Sequence, residues 1–235
     1  MNIMQQAARK ASRRLVRDFG EVENLQVSRK GPGDFVTAAD VRTDDMLRDA
    51  LLQARPTYGF LTEEGEDIVG EDEARRWIID PIDGTTNFMH GIPMFAISIA
   101  LEEMGEVTSA LVYAPISDEM FWAEKGQGAF LNDRRLRVAA RRHMGDTVIG
   151  TGIPHLGRPE NPSYAAEMSA IAGECAGIRR MGSAALDLAY VAAGRFDGVW
   201  ETGLSPWDIA AGLLLAREAG KPVTSVQYLI CLTNE

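Results

Sequence analysis

Apolar side chains recur every three or four positions through the first part of the chain. Over residues 2–19 this spacing predicts an amphipathic helix. The segment Gly-Pro-Gly-Asp at 31–34 is typical of a break in regular structure. Helical spacing returns over residues 40–54, with Asp40 placed as the N-cap. The chain is therefore predicted to begin with two helices.

The period of the apolar residues changes to two in the middle of the chain, as in β-strands. Strands are predicted over residues 95–101 and 107–113, with a turn at 103–106. Two shorter strands are predicted over 120–123 and 129–131. Sequential strands joined by short turns predict an antiparallel meander.

Strands and helices are mixed in the remainder of the chain, and a stretch rich in Arg and His at 138–146 predicts a soft boundary before them. We therefore predict an α+β half over residues 1–140 and an α/β half over residues 141–235, which gives the α+β class overall. The predicted strands are 148–151 and 196–201, and the predicted helices are 164–175, 184–193 and 208–219, with Gly220 at the last C-terminal cap.

Composition and charge argue against several classes of protein. Apolar residues make up 46% and charged residues 25%, and the longest apolar runs fall short of the roughly 20 residues that a membrane helix needs. Residues 1–14 lack the apolar core of a secretory signal, so a cytoplasmic protein without membrane contact is predicted. The formal charge of −10 disfavours direct nucleic-acid binding. A phosphate substrate would need a divalent metal to offset the carboxylate repulsion.

The cysteines and histidines do not predict a zinc site. Cys175 and Cys231 have no CxxC partner, and His90, His143 and His155 lack the spacing of metal ligands. Any metal would be bound by oxygen ligands, which favours Mg²⁺ or Mn²⁺.

The segment WIIDPIDGTTNF at residues 77–88 is the strongest chemical signal in the chain. An apolar strand leads into Asp80, and Pro81 is predicted to end it because proline cannot continue a ladder. The carboxylates of Asp80 and Asp83 would converge beyond the strand end, beside the backbone N–H groups of Gly84-Thr85-Thr86. Carboxylates beside amide donors suit a site that a metal and a phosphate share.

The same acidic residues also have ordinary structural roles. Asp80 and Asp83, taken alone, would be turn and cap residues. Glu63 belongs to an acidic run that would often be a solvated loop, and Asp208 would often be only a helix N-cap. A functional site is favoured over the turn interpretation, because two acids, a proline and Gly-Thr-Thr are all directed at one point.

Residues 77–88 resemble the first signature of the inositol monophosphatase family. Trp207–Gly212 (WDIAAG) resembles the second signature of that family. Phe60–Glu64 (FLTEE) resembles its upstream acidic pair, and Asp34–Asp40 (DFVTAAD) resembles its early D-x-V-T-x-x-D segment. The segments occur in the family order, and the resemblance covers residues 1–220. It implies a layered α-β-α-β-α sandwich.

The resemblance also implies two to three Mg²⁺ ions per site, with Mn²⁺ as a possible replacement. One ion would be held by Glu63, Asp80 and the backbone carbonyl of Ile82. A second would be held by Asp80, Asp83 and Asp208, and Glu63 would also lie near a weaker third site.

Catalysis would depend on Glu63, Thr85 and Asp83, because Thr85 and Glu63 would orient and help to deprotonate a metal-bound water. The N–H groups of Gly84 and Thr85 would bind phosphate oxygens, and Glu201 would contact substrate hydroxyls. Arg179 and Arg180 are more often surface charges at such a position, and contact of Arg179 with substrate or a dimer interface is the alternative. The implied substrate-binding residues are Ile82, Asp83, Gly84, Thr85, Arg179, Gly182, Ser183, Ala184, Glu201 and Asp208.

The activity that the resemblance implies is hydrolysis of inositol monophosphate or a similar polyol or sugar phosphate, by a lithium-sensitive homodimer. Related phosphatases act on nucleotide 3′-phosphates or fructose 1,6-bisphosphate, and these substrates are the nearest alternative. A different alternative is a regulatory protein in transcription or ribosome assembly.

The sequence departs from the family pattern after Gly220. The second glycine and the further strands and helices of the family do not follow, and the segment 221–235 is interpreted as truncated or altered. Val223–Leu232 is expected to form a strand. A sheet without the remaining strands would have an exposed edge and lower stability.

Overall fold

Two helices begin the chain, as the apolar spacing predicts. The computed structural model describes residues 1–21, 27–31, 34–154, 162–220 and 229–231. The helices are α1 (Asn2–Gly20) and α2 (Ala38–Ala54), and the strands β1 (Val27–Gly31) and β2 (Asp34–Thr37) pair between them as an antiparallel hairpin.

The start of α2 differs from the prediction that Asp40 is its N-cap. Thr37 is the N-cap, and its hydroxyl accepts from the N–H groups of Ala39 and Asp40. Asp40 lies at the third helical position, where its carboxylate accepts from the N–H of Thr37 at 2.8 Å. The prediction was wrong because the two side chains cap each other's backbone, which moves the helix start to Ala38.

The predicted meander forms most of a seven-stranded sheet. Its strands are β3 (Tyr58–Thr62), β4 (Asp72–Asp83), β5 (Ala96–Glu103), β6 (Glu106–Ala114), β7 (Glu119–Glu124), β8 (Gly128–Leu131) and β9 (Arg134–Arg135). They are hydrogen-bonded in chain order, with β3 parallel to β4 and every later pair antiparallel.

Pro81 does not end β4, contrary to the prediction. Asp80 pairs with Ser98 of β5, and Asp83 pairs with Ala96, so β4 carries one extra residue in this interval. Pro81 lies in this bulge, where its missing N–H costs no ladder hydrogen bond. Without the bulge, alternation would place Asp80 and Asp83 on opposite faces of the sheet. The bulge therefore allows both carboxylates to reach one point.

A second, four-stranded sheet lies in the later part of the chain. Its strands are β10 (Val148–Thr151), β11 (Gly177–Arg179), β12 (Gly198–Glu201) and β13 (Leu229–Cys231). Their order in the sheet is β11-β10-β12-β13, with β13 antiparallel to β12 and the other pairs parallel. Of the strand expected at the C-terminus, Leu229–Cys231 is described, and the rest of that prediction lies outside the described residues.

The helices and sheets stack in five layers. The remaining helices are α3 (Thr85–Met89), α4 (Tyr164–Ala172), α5 (Ala184–Ala192) and α6 (Pro206–Glu218), with a 3₁₀ turn at Met144–Asp146. Helices α1 and α2 cover one face of the large sheet, and α5 and α6 lie between the two sheets. Tyr164 of α4 stacks on Trp200 of β12 at 6.2 Å between ring centroids, which places α4 on the outer face of the small sheet. The predicted α-β-α-β-α fold is confirmed.

Small residues let the central layer pack closely. The large sheet presents many alanines toward α5 and α6, and isoleucine, leucine and aromatic residues toward α1 and α2. A β-carbon at Gly212 of α6 would lie 2.5 Å from the β-carbon of Leu188 in α5. The close packing brings the first turn of α6 to the end of β4.

The division into two halves at residue 140 stays a prediction. Helices α5 and α6 of the predicted second half pack on the sheet of the first half.

Among the described helices, none is both long and apolar enough to cross a membrane.

Candidate metal and phosphate site

Three buried carboxylates from two elements form the centre of the site. Asp80 and Asp83 lie at the end of β4, and Asp208 lies in the first turn of α6. Each offers an oxygen within 4.8 Å of the other two, and the residues are 1%, 8% and 7% exposed, respectively. Such closely placed oxygen ligands match the preference of Mg²⁺ or Mn²⁺.

Burial and mutual repulsion disfavour the charged form of this cluster. Burial raises the pKa of Asp80 well above its ordinary value, and the negative charges of Glu63, Asp83 and Asp208 raise it further. Burial and the charge of Asp208 raise the pKa of Asp83 to about 7. A divalent cation among these groups would reverse both effects, so the donor set fits a metal site.

Glu63 reaches the cluster from the adjacent strand. It follows the last residue of β3, and its N–H donates to the carbonyl of Ile79 at 3.2 Å. Because β3 and β4 are parallel, their ends lie side by side, and the Glu63 carboxyl shares a hydrogen bond with Asp80. The structure thus joins Glu63 to the aspartates, as the metal assignment requires.

Asp83 is held by the start of α5. Its Oδ2 accepts from the hydroxyl of Ser183 at 2.5 Å and from the N–H of Ala185 at 2.7 Å. Ser183 is the N-cap of α5, so the positive end of that helix faces the carboxylate. These contacts were not anticipated, because the family resemblance implies Ser183 and Ala184 only as substrate-binding residues.

Asp208 is not the N-cap of α6, which was the structural alternative. Ser205 is the N-cap, and its N–H donates to Asp208 Oδ2 at 2.7 Å. Asp208 therefore fixes the start of α6 while it belongs to the carboxylate cluster.

Gly84 makes the turn between β4 and α3. Its φ of 100° is left-handed, and a β-carbon would lie 2.9 Å from the carbonyl oxygen of Met94 and 3.1 Å from that of Gly182. Glycine is required here both for conformation and for space. The turn sets the N–H groups of Gly84 and Thr85 directly after Asp83 in the chain.

The hydroxyl of Thr85 connects the cluster to α2. Its Oγ1 lies 3.0 Å from Asp40 Oδ1 and 3.0 Å from the carbonyl oxygen of Ile82, and both are acceptors. Asp40 is fully buried, and its other oxygen accepts from Thr37. The N–H of Ile82 donates to Asp80 Oδ1 at 3.0 Å.

Two further predicted residues, Glu201 and Gly182, are partly exposed and lie near the site. The negative charge of Glu201 raises the pKa of both Asp83 and Asp187, which places it near the cluster. A β-carbon at Gly152 would lie 2.1 Å from Glu201 Oε1, so this glycine makes room for the carboxylate. Gly182 has a φ of 84°, and the carbonyl of the preceding residue accepts from Asn87 Nδ2 at 2.8 Å.

Arg180 also lies near the site. A β-carbon at Gly182 would lie 2.4 Å from Arg180 Nη1, and the charge of Arg180 acts on Asp187. Arg179 is exposed on β11, and its guanidinium donates to the carbonyl of Ile178 at 2.9 Å. The contact of Arg179 with substrate or a dimer interface stays a prediction.

Asp187 was missed by sequence reasoning. It lies on α5 and is 1% exposed; burial raises its pKa well above the ordinary value, and the charges of Glu201 and Asp83 raise it further. A single acid within the apolar helix AALDLAYVA was the available signal.

The comparisons with known proteins identify the family. A sequence model described as the inositol monophosphatase family matches residues 1–228. The chain is 64% identical over 220 residues to an inositol-1-monophosphatase of Rhizobium meliloti strain 1021, covering 94% of this chain and 83% of that protein. It is 44% identical over 220 residues to Nus factor SuhB of Escherichia coli K12, covering 94% and 82%.

A solved structure shows the same fold. The extragenic suppressor protein suhB from Bartonella henselae superposes with a TM-score of 0.96 at 55% identity, covering 99% of this chain and 93% of that one. With the family model matching nearly the whole chain and the carboxylate site assembled at the two signatures, the chain belongs to the inositol monophosphatase family.

Proposed function

We propose that this protein is a Mg²⁺-dependent phosphomonoesterase that hydrolyses inositol monophosphate or a similar polyol or sugar phosphate. The observation that carries the proposal is the convergence of Asp80, Asp83 and Asp208 beside the Gly84 turn. The relatives named inositol-1-monophosphatase support the substrate class.

The metal ligands in this proposal are those that the family resemblance implies. Glu63, Asp80 and the Ile82 carbonyl would hold one ion, and Asp80, Asp83 and Asp208 would hold another. When bound, divalent cations neutralise the phosphate charge and lower the pKa of a coordinated water. All of the donors are oxygens, which disfavours the softer metals.

Thr85 and Glu63 provide the local acid–base groups. The Thr85 hydroxyl can donate to Asp40 Oδ1, which leaves its oxygen able to accept a hydrogen bond from a neighbouring water. The pKa of Asp40 lies above its ordinary value, because the effect of burial exceeds that of the hydrogen bonds with Thr37, which lower it. Thr85 would thereby orient the attacking water, and Glu63 would take its proton.

The substrate would lie between the Gly84 turn and the start of α5. The N–H groups of Gly84 and Thr85 would bind phosphate oxygens, as backbone donors at a turn can. Glu201 would accept hydrogen bonds from hydroxyls of the alcohol part. A carboxylate that binds substrate hydroxyls gives preference for polyols, because a substrate without them leaves it unpaired.

The test is phosphate release from inositol 1-phosphate by the purified 235-residue chain. Mg²⁺ is titrated from zero after chelation, and p-nitrophenyl phosphate, a nucleotide 3′-phosphate and fructose 1,6-bisphosphate are run in parallel. Magnesium-dependent turnover with preference for inositol 1-phosphate supports the proposal. A preference for another ester keeps the phosphatase and changes its substrate, and no turnover by a folded chain contradicts it.

A regulatory role is the second candidate, because relatives at 44% identity are named Nus factor SuhB. Replacement of that relative in its host by the chain, with Asp83→Asn as an inactive form, separates the two functions. Growth supported equally by both forms favours the regulatory role.

We also propose a cytoplasmic homodimer inhibited by Li⁺, on the basis of the family resemblance. Analytical ultracentrifugation and inhibition by LiCl test the two molecular properties.

A further inference from the structure

Helix α2 touches the loop that carries Glu63. Asp44 and Arg48 lie one turn apart on α2, and Arg48 Nη1 is 3.5 Å from Asp44 Oδ2. The Asp44 side chain is 3% exposed and that of Arg48 is 21% exposed, so the pair is largely shielded from solvent. Burial raises the pKa of Asp44, and the charge of Arg48 lowers it.

Polar contacts lead from this pair to the loop. The hydroxyl of Thr62, the last residue of β3, interacts with the Asp44 carboxylate and lowers its pKa. The same hydroxyl oxygen accepts from the N–H of Gly65 at 2.9 Å. A threonine hydroxyl can donate one hydrogen bond and accept another, so the two contacts are compatible. They close a turn that contains Glu63.

The guanidinium of Arg48 fills the space beside Gly65. A β-carbon at Gly65 would lie 1.8 Å from Arg48 Nη1, 2.9 Å from Asp44 Oδ2 and 2.9 Å from Thr62 Oγ1. Arg48 also lies over the ring of Phe60, 5.7 Å from its centroid. The guanidinium therefore occupies the space that a side chain at residue 65 would fill.

We propose that Asp44 and Arg48 are positioning residues that hold the Thr62–Gly65 turn and thereby set the metal affinity on the Glu63 side of the site. The inference rests on the proposed function, since it assumes that Glu63 is a metal ligand. The Asp208 side is held separately by Ser205 and α6, so its affinity should not depend on Arg48.

The test is Mn²⁺ binding to the metal-free protein, followed by the electron paramagnetic resonance signal of the unbound ion. Arg48→Met should weaken one class of Mn²⁺ site by about tenfold, as loss of a group that supports a ligand commonly does. Asp208→Asn identifies the other class, which Arg48→Met should leave unchanged. Arg55→Met is the matched control, because Arg55 ends the same helix and donates to the carbonyl of Ala54.

A second pair of variants keeps the test independent of the arginine. Thr62→Val should weaken the same class of site, and Thr62→Ser, which retains the hydroxyl, should bind like the parent. Parental affinities in both Arg48→Met and Thr62→Val would overturn the inference. The inference would also be overturned if the variants lost Mn²⁺ affinity equally at both classes of site and had a lower Tm without metal, because that result indicates general destabilisation. A parent that binds no Mn²⁺ refutes the proposed function itself.

Discussion

Removing the charge of Asp83 should abolish activity and at the same time stabilise the metal-free protein. Asp83→Asn keeps an oxygen that can accept from Ser183 and Ala185, but it removes one of three converging charges. Without that charge the metal and the phosphate are poorly held, so turnover should be lost. The same charge is unfavourable for folding when no cation is present.

The expected gain in stability follows from the pKa of Asp83. An ordinary aspartate has a pKa of 3.8, and burial together with Asp208 raises that of Asp83 to about 7. This difference corresponds to about 4 kcal/mol lost from the folded state when Asp83 ionises. Because the folded state binds the proton more tightly, this contribution is complete below pH 3.8 and disappears as the pH rises through about 7.

Urea unfolding in EDTA, at pH 5 and at pH 8, measures the effect. Asp83→Asn should exceed the parent by up to about 4 kcal/mol at pH 8 and by less than half of that at pH 5, where the parent has lost only part of the contribution. Asp49→Asn, an exposed position on α2, is the control and should show no such pH-dependent gain. Saturating Mg²⁺ should reduce the difference, because it stabilises the parent more than the variant. The reasoning fails if Asp83→Asn is no more stable than the parent at pH 8.

Three other substitutions test separate parts of the site. Thr85→Val should lower kcat by about 10²–10⁴-fold with Mn²⁺ binding retained, and weakened Mn²⁺ binding would instead indicate a structural defect. Glu201→Ala should lower kcat/KM for inositol 1-phosphate at least about tenfold more than for p-nitrophenyl phosphate, since a hydrogen bond to a charged group is lost. Equal losses for the two substrates would show that Glu201 does not determine substrate specificity. Gly212→Ala should destabilise the fold by about 1–3 kcal/mol in urea, because the new methyl group meets Leu188, and an unchanged midpoint would contradict the close packing of α5 and α6.

Much of the fold could be predicted because its elements have strong local periods. The helix predicted over residues 2–19 is Asn2–Gly20, and the meander strands begin and end within a few residues of their predicted limits. β11 was not predicted. It has three residues, too few for a period to emerge, and its existence depends on pairing with β10.

The sequence by itself determined which side chains are the candidate metal ligands. Asp80 and Asp83 were identified from the acidic segment that follows an apolar strand, and Asp208 from the resemblance of WDIAAG to the second family signature. Their convergence could not be calculated from the motifs, since Asp83 and Asp208 lie 125 positions apart in the chain. It depends on the bulge at Pro81 and on the small residues that bring α6 to β4.

Only the tertiary structure decided what holds each of these groups in place. Ala185 and Ser183 fix Asp83, Asp40 fixes Thr85, and Arg48 lies against the Glu63 loop. None of these contacts has a sequence signature, because each joins residues that are distant in the chain and that also have ordinary roles as helix caps or surface charges. Local patterns encode the elements and the reactive groups, whereas the supporting contacts arise from the packing of the layers.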